Sequence, residues 1–119
     1  MRVPMKVLIV DDSSQMRLMM RRYLPADADK ICECEDGIDA LACYEKFLPD
    51  WVLMDWEMKR MNGLKATKKI IGKYPDAKIL LVTQYNDDEL REAATEAGAC
   101  GFVLKENLAD LRGFLARET

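Results

Sequence analysis

The sequence predicts a doubly wound α/β fold, in which one open sheet of five parallel strands, in the order 2-1-3-4-5, is covered on both faces by five helices. Short apolar runs alternate along the 119 residues with longer amphipathic segments. Such β-α repetition forms parallel sheets through right-handed crossovers. Only the second short run alternates apolar and polar residues. A strand with one wet side belongs at a sheet edge, and this placement yields the strand order.

The five predicted strands are short, and ionisable or hydroxyl side chains follow four of them. The strands are residues 6–10, followed by Asp11 and Asp12; 31–35; 51–54, followed by Asp55; 78–82, followed by Thr83; and 101–104, followed by Lys105. The run 51–54 has no polar break, which is typical of a strand buried on both faces. In a parallel sheet these strand ends meet at the carboxyl edge, where open α/β folds bind ligands.

Helical spacing of apolar residues, with caps or prolines at the ends, predicts the five helices. Their apolar stripes are Met16, Met19, Met20, Tyr23 and Leu24; Leu41, Ala42 and Tyr44 within 38–48; Leu64, Thr67, Ile71 and Tyr74; Leu90, Ala93, Ala94 and Ala97; and Leu108, Leu111 and Leu115. Gly98 suits the position just after the fourth helix, and Asn107 is expected to cap the fifth. On the first helix, Arg17, Arg21 and Arg22 are placed on the outer face, where solvated charge is the expected role and a docking patch is the alternative.

The composition fits one compact domain spanning residues 1–119 and excludes several classes of function. Half of the residues are apolar, so the chain can bury a core without a disulfide or a structural metal. The formal net charge of −3 gives no general reason to bind nucleic acid or anionic lipid. Histidine is absent, which excludes a Ser-His-Asp triad, a histidine metal centre and a phosphohistidine relay within the chain.

The cysteines and the first residues predict a reducing, cytoplasmic environment. Cys32, Cys34, Cys43 and Cys100 lie in apolar runs of a chain without a recognisable secretory signal, so reduced core thiols are expected. The first apolar run reaches Asp11 too soon to be a signal or membrane segment, and no membrane insertion is expected.

Three carboxylates are predicted to share one crevice with a hydroxyl and an ammonium group. Asp11, Asp12 and Asp55 repel one another when they are close, which raises their pKa values unless a cation sits between them. Mg²⁺ prefers oxygen ligands and is commonly held by carboxylates together with phosphate. With such a metal, Thr83 and Lys105 complete a set of groups suited to a phosphoryl group. Asp55, alone at the end of the central strand, is the candidate nucleophile.

Each of these features also has an ordinary structural explanation. Asp11-Asp12-Ser13 is a common helix N-cap sequence, a threonine after a strand often caps or turns, and a lysine there often points to water. Their convergence on one edge of the predicted sheet favours the functional interpretation.

The same residues carry a resemblance to a known family. The segments 10–13 (Val-Asp-Asp-Ser), 53–58 (Leu-Met-Asp-Trp-Glu-Met) with Gly63, 82–83 (Val-Thr) and 101–105 (Gly-Phe-Val-Leu-Lys) occur in this order. The chain strongly resembles, over essentially its whole length, the receiver domain of two-component response regulators. That family has a flavodoxin-like fold. Among its members, the chain is most similar in size and organisation to the single-domain chemotaxis response regulator.

The resemblance implies a phosphorelay role for the acidic edge. Asp55 would be the phosphoacceptor, phosphorylated by a partner histidine kinase or a small phosphodonor. Asp12, Asp55 and the backbone carbonyl of Glu57 would bind Mg²⁺, with Asp11 acting through water. Catalysis would be limited to autophosphorylation from small phosphodonors and autodephosphorylation, so the chain would not be an enzyme in the usual sense.

The resemblance also implies a switch surface. Thr83 and Phe102 would be the switch pair, and Lys105 the counter-ion of the phosphoryl group. Phosphorylation would remodel the face formed by the fourth helix, the fifth strand and the fifth helix. That face would control a downstream target protein or output domain, and a homodimer through it is a further expectation. Direct nucleic-acid binding by this domain is not expected.

The chain departs from the family pattern at several positions near the site. Lys59 and Glu106 stand where proline is frequent, and Gln84 stands where a small residue is usual. Glu57 and Tyr85 lie at positions by which the family tunes the lifetime of the acyl phosphate.

Three alternative functions are weighed against a phosphoacceptor switch. A receiver-like module that no longer cycles would serve as an interaction or dimerisation surface, and it would not bind a phosphate analogue with Mg²⁺. A phosphohydrolase with an aspartate nucleophile would carry it after the first strand, with a second aspartate two residues on. Here Asp55 follows the third predicted strand and Glu57 lies two residues on. A flavin carrier needs a hydroxyl-rich phosphate loop after strand one, which Asp-Asp-Ser does not provide.

Overall fold

The computed structural model describes residues 4–116, and in them five strands alternate with five helices. The elements are β1 (Lys6–Val10), α1 (Ser14–Arg22), β2 (Lys30–Cys34), α2 (Ala40–Phe47), β3 (Trp51–Asp55), α3 (Gly63–Lys73), β4 (Ile79–Thr83), α4 (Asp88–Glu96), β5 (Gly101–Leu104), a 3₁₀ turn (Lys105–Asn107) and α5 (Asp110–Ala116). This order confirms the predicted β-α repetition.

The strands form one parallel sheet in the order β2-β1-β3-β4-β5, as predicted. Val10 on β1 pairs with Met54 on β3, and Asp55 on β3 pairs with Val82 on β4. The strands therefore end nearly level. The residues that follow the strands therefore lie at the same edge of the sheet, the carboxyl edge.

Two apolar layers cover the sheet, because successive side chains of a strand point to opposite faces. On β1, Val7 and Ile9 pack in the layer that contains α1 and α5, whereas Leu8 and Val10 pack in the layer that contains α2, α3 and α4. All five residues of β3 are buried. This confirms that the third strand is the buried centre of the fold.

The second and fifth helices have boundaries that differ from the sequence prediction. The second helix begins at Ala40 instead of residue 38 and ends at Phe47, where Leu48 adopts a left-handed conformation with φ of 49°. The fifth helix begins only at Asp110. Asn107 is part of the 3₁₀ turn and does not cap α5, because the chain leaves β5 through a tighter turn before the helix forms.

Arg17 is buried, so the prediction of a solvated charge was wrong for this residue. It is 8% exposed, its Nε donates to Glu33 Oε1 at 2.6 Å, and its Nη1 donates to the backbone carbonyl of Asp11 at 2.6 Å. A charge is buried only where such partners replace water. Arg21 and Arg22 are exposed as predicted, and Arg21 also pairs with Glu33 at 2.7 Å.

The cysteines are free; Cys34 is buried in the core, and Cys32 and Cys43 are partly buried against it. Burial raises the pKa of the Cys34 thiol to about 12, so it stays protonated and unreactive. Cys100 is exposed, and Met19 on α1 is 42% exposed. The prediction of core positions was therefore wrong for both Cys100 and Met19. An apolar pattern shows that a residue can be buried, but it does not determine whether other residues pack over it.

Gly98 follows α4 with a φ of 94°, as predicted for a residue just beyond a helix. Ala94 is the buried residue of α4, so this helix approaches the sheet through a small side chain. Within residues 4–116, every helix is too short or too polar to cross a membrane.

Candidate functional site

Three carboxylates meet at the carboxyl edge of the sheet. Asp11 follows β1 directly and Asp55 ends the neighbouring β3, while Asp12 lies one residue further along the loop to α1. One carboxylate oxygen from each of the three lies within 4.8 Å of the other two. Asp11 and Asp55 are each 1% exposed, whereas Asp12 is exposed. The structure thus brings together the three acids that the sequence placed at one edge.

Local hydrogen bonds fix two of the carboxylates. The backbone N–H of Ser13 donates to Asp11 Oδ1 at 2.8 Å, which holds the loop at the start of α1. The backbone N–H of Lys59, from the loop after β3, donates to Asp12 Oδ2 at 3.3 Å. The acidic loop and the β3–α3 loop are therefore connected across the site.

Lys105 supplies a positive charge to the buried end of this cluster. It follows β5 directly, and its Nζ lies 2.9 Å from Asp55 Oδ1. The lysine side chain is 22% exposed, so the ion pair is largely withdrawn from water. The sequence placed Lys105 at this edge, and the structure brings it into contact with the central carboxylate.

Burial and mutual repulsion shift the ionisation of these groups. Burial, with Asp11 and Glu57 nearby, raises the pKa of Asp55 to about 7 despite the opposing effect of Lys105. Burial also raises the pKa of Asp11. For Lys105, burial acts to lower the pKa, but the Asp55 carboxylate and its neighbours outweigh it and raise that pKa. The cluster holds more negative charge than one lysine neutralises.

The donor set fits a hard divalent cation. Asp11 Oδ2 is buried and has no hydrogen-bond partner among residues 4–116, which is costly for a carboxylate oxygen. The clustered atoms of Asp11, Asp12 and Asp55 are all oxygens, the ligands that Mg²⁺ prefers. A cation bound here would satisfy the unpaired oxygen and relieve the repulsion among the three acids.

The β3–α3 loop is held against the end of the central strand. A Cβ added to Gly63 would lie 2.1 Å from the backbone oxygen of Asp55, so only glycine permits this approach. The backbone N–H of Gly63 donates to the carbonyl of Trp56 at 2.8 Å, and that of Trp56 donates to the carbonyl of Val82 on β4 at 2.8 Å. These contacts position the residues that follow Asp55.

Thr83 ends β4 and is fully buried, but its hydroxyl is already engaged. It donates to Glu57 Oε2 at 2.6 Å, and the backbone N–H of Tyr85 donates to the same Thr83 oxygen at 3.2 Å. The sequence singled out Thr83 and Glu57 separately, Glu57 as a backbone ligand and as a position that tunes the acyl-phosphate lifetime, but it did not predict that their side chains meet. One sequence feature could have indicated this contact. Glu57 is an acid in the loop that follows β3, and Thr83 ends the neighbouring strand β4.

Phe102 on β5 is half-buried between two residues that sequence reasoning did not single out. The Trp56 ring packs edge-on against it with centroids 6.1 Å apart, and the Arg91 guanidinium from α4 lies 4.6 Å from the Phe102 centroid. A cation over an aromatic ring is attracted to its face. Phe102 thus links the residue after Asp55 to the surface of α4.

Comparisons with known proteins agree with this geometry. The sequence matches the response regulator receiver domain over residues 7–115. It is 35% identical over 107 residues to the transcriptional regulatory protein DegU of Brevibacillus brevis, and this alignment covers 88% of this chain and 45% of DegU. It is 34% identical over 107 residues to the chemotaxis protein CheY of Listeria monocytogenes, with coverage of 89% and 90%.

A solved structure shows the same arrangement of elements. Chemotaxis protein CheY4 of Vibrio cholerae has a TM-score of 0.87 at 29% sequence identity, with 98% of this chain and 100% of that chain covered. The chain spans about half the length of DegU and of the other transcriptional regulators that it matches. The match to the receiver domain nevertheless extends from β1 into α5, and the chain belongs to the response regulator receiver domain family.

Proposed function

We propose that this chain is a Mg²⁺-dependent phosphoacceptor switch in which Asp55 receives the phosphoryl group. The observation that carries the proposal is the placement of Asp55. It is buried at the end of the central strand, 2.9 Å from the Lys105 ammonium and grouped with Asp11 and Asp12. Such an arrangement suits a nucleophile whose product carries additional negative charge.

The proposed step is transfer of a phosphoryl group to a carboxylate oxygen of Asp55. That oxygen attacks phosphorus and forms a new P–O bond, while the bond from phosphorus to the donor's imidazole nitrogen or acetate oxygen breaks. The leaving imidazole or acetate keeps the electron pair. Later hydrolysis by water restores the Asp55 carboxylate and releases inorganic phosphate. In this cycle Asp55 is a stoichiometric acceptor, not an enzyme acting on many substrate molecules.

Metal binding falls to the residues beside Asp55. Asp12, Asp55 and the backbone carbonyl of Glu57 are the proposed ligands, with Asp11 acting through water. When bound, Mg²⁺ supplies the positive charge that offsets the acids and the phosphoryl oxygens. Lys105 is the protein's own counter-ion to the phosphoryl group.

The proposed output runs from Thr83 and Phe102 to the face formed by α4, β5 and α5. The Thr83 hydroxyl is drawn to the phosphoryl group, and Phe102 repacks beside it. Contact of Phe102 with Trp56 and Arg91 supports this coupling, because it joins the loop after Asp55 to α4. Phe102 has no hydroxyl, so it signals by packing alone.

The proposed partners are a histidine kinase as phosphodonor and a downstream target protein or output domain. A homodimer through the α4, β5 and α5 face is also proposed. The proposal treats residues 1–119 as a single receiver domain that works in the cytoplasm. DegU and CheY are named for transcriptional regulation and chemotaxis, and both kinds of output are compatible with a receiver domain.

Intact-mass spectrometry after treatment with acetyl phosphate tests the proposal. We expect the wild-type chain to gain the mass of one phosphoryl group only when Mg²⁺ is present, with the modification mapped to Asp55. Asp55→Asn should gain none while keeping its circular dichroism spectrum. Equal labelling of that variant would move the acceptor elsewhere. A chain that is never labelled and does not bind a phosphate analogue with Mg²⁺ would instead be a non-cycling interaction module.

A further inference from the structure

We propose that Glu57 is a positioning residue that holds Thr83 in its resting orientation, because its carboxylate accepts the hydrogen bond that the Thr83 hydroxyl would otherwise donate to a phosphoryl group on Asp55. The inference rests on the phosphoacceptor function proposed above. It concerns the side chain of Glu57, whereas the proposed role in metal binding concerns the backbone carbonyl of that residue.

The Thr83 hydroxyl has one proton, and that proton is committed. Its Oγ1 lies 2.6 Å from Glu57 Oε2, a length typical of a hydroxyl donating to a charged carboxylate. The Tyr85 N–H uses one of the acceptor sites of the same oxygen. Thr83 is 0% exposed, so water offers no substitute partner. The hydroxyl must leave Glu57 before it donates to a phosphoryl oxygen.

The Glu57 side chain is weakly held on its other side. Glu57 Oε1 is buried without a hydrogen-bond partner in the described part of the chain. Glu57 also lies in the loop between β3 and α3, outside any helix or strand, and is half-buried. The carboxylate can therefore move outward without breaking a regular element.

Negative charge at Asp55 acts against this resting contact. Glu57 is close enough to Asp55 to contribute to the raised pKa of that carboxyl, after burial and Asp11. A phosphoryl group on Asp55 adds further negative charge, and like charges in a partly buried site repel strongly. Phosphorylation thus weakens the hydrogen bond between Thr83 and Glu57, and it also creates a new acceptor for the hydrogen bond of the Thr83 hydroxyl.

Substitutions separate the hydrogen bond from the charge. Glu57→Ala removes both, whereas Glu57→Gln removes the charge and keeps an acceptor oxygen of similar reach. Thr83→Val removes the donor and keeps the shape of the side chain. If Glu57 acts through Thr83, the effect of Glu57→Ala must depend on whether the hydroxyl is present.

The first experiment uses metal-free protein and proton NMR of the Thr83 hydroxyl. In the wild-type chain we expect a slowly exchanging resonance, shifted downfield by the short bond to a carboxylate. Glu57→Gln should keep a protected resonance that is shifted less, and Glu57→Ala should lose the protection. An unchanged resonance in Glu57→Ala would overturn the inference.

The second experiment measures the dissociation constant of beryllofluoride, a phosphate analogue, in the presence of Mg²⁺ by tryptophan fluorescence. Removing a competing charged acceptor should make Glu57→Ala bind roughly 10-fold more tightly than wild type. Glu57→Gln should show a smaller gain. In the Thr83→Val background, Glu57→Ala should give a clearly smaller gain than in the wild-type background, because only the relief of charge repulsion remains.

The outcomes distinguish the inference from the function on which it rests. Equal gains from Glu57→Ala with and without the Thr83 hydroxyl would indicate simple charge repulsion and overturn the inference, while the phosphoacceptor function would stand. A wild-type chain that neither binds beryllofluoride nor accepts phosphate would overturn the proposed function. The hydroxyl resonance would still report directly on the contact between Glu57 and Thr83 in that case.

Discussion

Arg17 on α1 donates a hydrogen bond from Nη1 to the backbone carbonyl of Asp11 at 2.6 Å. The same guanidinium donates from Nε to Glu33 on the edge strand β2, also at 2.6 Å. One buried charge therefore connects the loop that carries Asp11 and Asp12 to the edge of the sheet. Removal of a buried, paired charge leaves its partners unsatisfied, so this residue is expected to matter for both stability and the geometry of the acidic loop.

Arg17→Ala should lower the free energy of unfolding by about 2–4 kcal/mol, because the Asp11 carbonyl and the Glu33 carboxylate both lose a donor. Urea denaturation followed by circular dichroism measures the loss. Arg22→Ala, at an exposed position of the same helix, is the matched control and should change stability by less than about 0.5 kcal/mol. Similar losses in the two variants would contradict the role given to Arg17.

Glu33→Gln should lower stability at neutral pH and make no difference in strong acid. Hydrogen bonds from Arg17, and then from Arg21, hold the pKa of Glu33 below its usual 4.5. The stabilisation is complete above pH 4.5 and is lost as the pH falls through the lower folded-state pKa. We expect no more than about 1 kcal/mol, because the Glu33 side chain is 34% exposed. A difference between wild type and variant that does not diminish in acid would contradict this origin.

Asp55→Asn should stabilise the metal-free protein at pH 8. The substitution removes a buried negative charge that is repelled by Asp11 and Glu57, but it also deprives Lys105 of its partner. We therefore expect a net gain of only about 1–2 kcal/mol, measured by thermal unfolding with a chelator. Mg²⁺ should raise the unfolding temperature of wild type more than that of the variant.

The control for this comparison is Asp29→Asn, an exposed carboxylate just before β2, at the opposite edge of the sheet. It should change neither the metal-free stability nor the response to Mg²⁺. A destabilised Asp55→Asn protein would show that the Lys105 ion pair outweighs the repulsion among the acids.

Gly63→Ala should be destabilising and should disturb the site. The new Cβ would lie 2.1 Å from the backbone oxygen of Asp55, so the β3–α3 loop must shift, at a cost of about 1–3 kcal/mol. Gly72→Ala, in the same helix with open space around the new methyl group, should instead stabilise by about 0.5–1 kcal/mol. Chemical denaturation of the pair checks the opposite signs, and two changes of the same sign would refute the steric argument.

Much of the architecture was predictable because it follows from local patterns. The unbroken apolar run before Asp55 indicates a strand buried on both faces, and the alternation at residues 31–35 indicates an edge strand. The strand order and the parallel sheet were confirmed. Since parallel strands that end level bring their last residues together, the grouping of Asp11, Asp12 and Asp55 also followed from the pattern. The roles assigned to these residues stay predictions.

The sequence could not predict which distant side chains would meet. Thr83 bonds to Glu57, 26 residues away, and Arg17 pairs with Glu33, 16 residues away. Neither contact leaves a periodic signal, and a charged residue on a helix is usually solvated. Cys100 was misjudged for the same reason, since its cover depends on how the chain turns into β5.

The sequence by itself determined the sheet, its order and the edge at which the ionisable groups gather, because apolar spacing and the length of the runs specify which faces must be buried. Only the tertiary structure decided that the Thr83 hydroxyl donates to Glu57 and that Arg17 is buried in contact with the acidic loop. Hydrogen-bond partners are chosen by the distance and angle between side chains once the elements have packed, and no local pattern encodes those quantities.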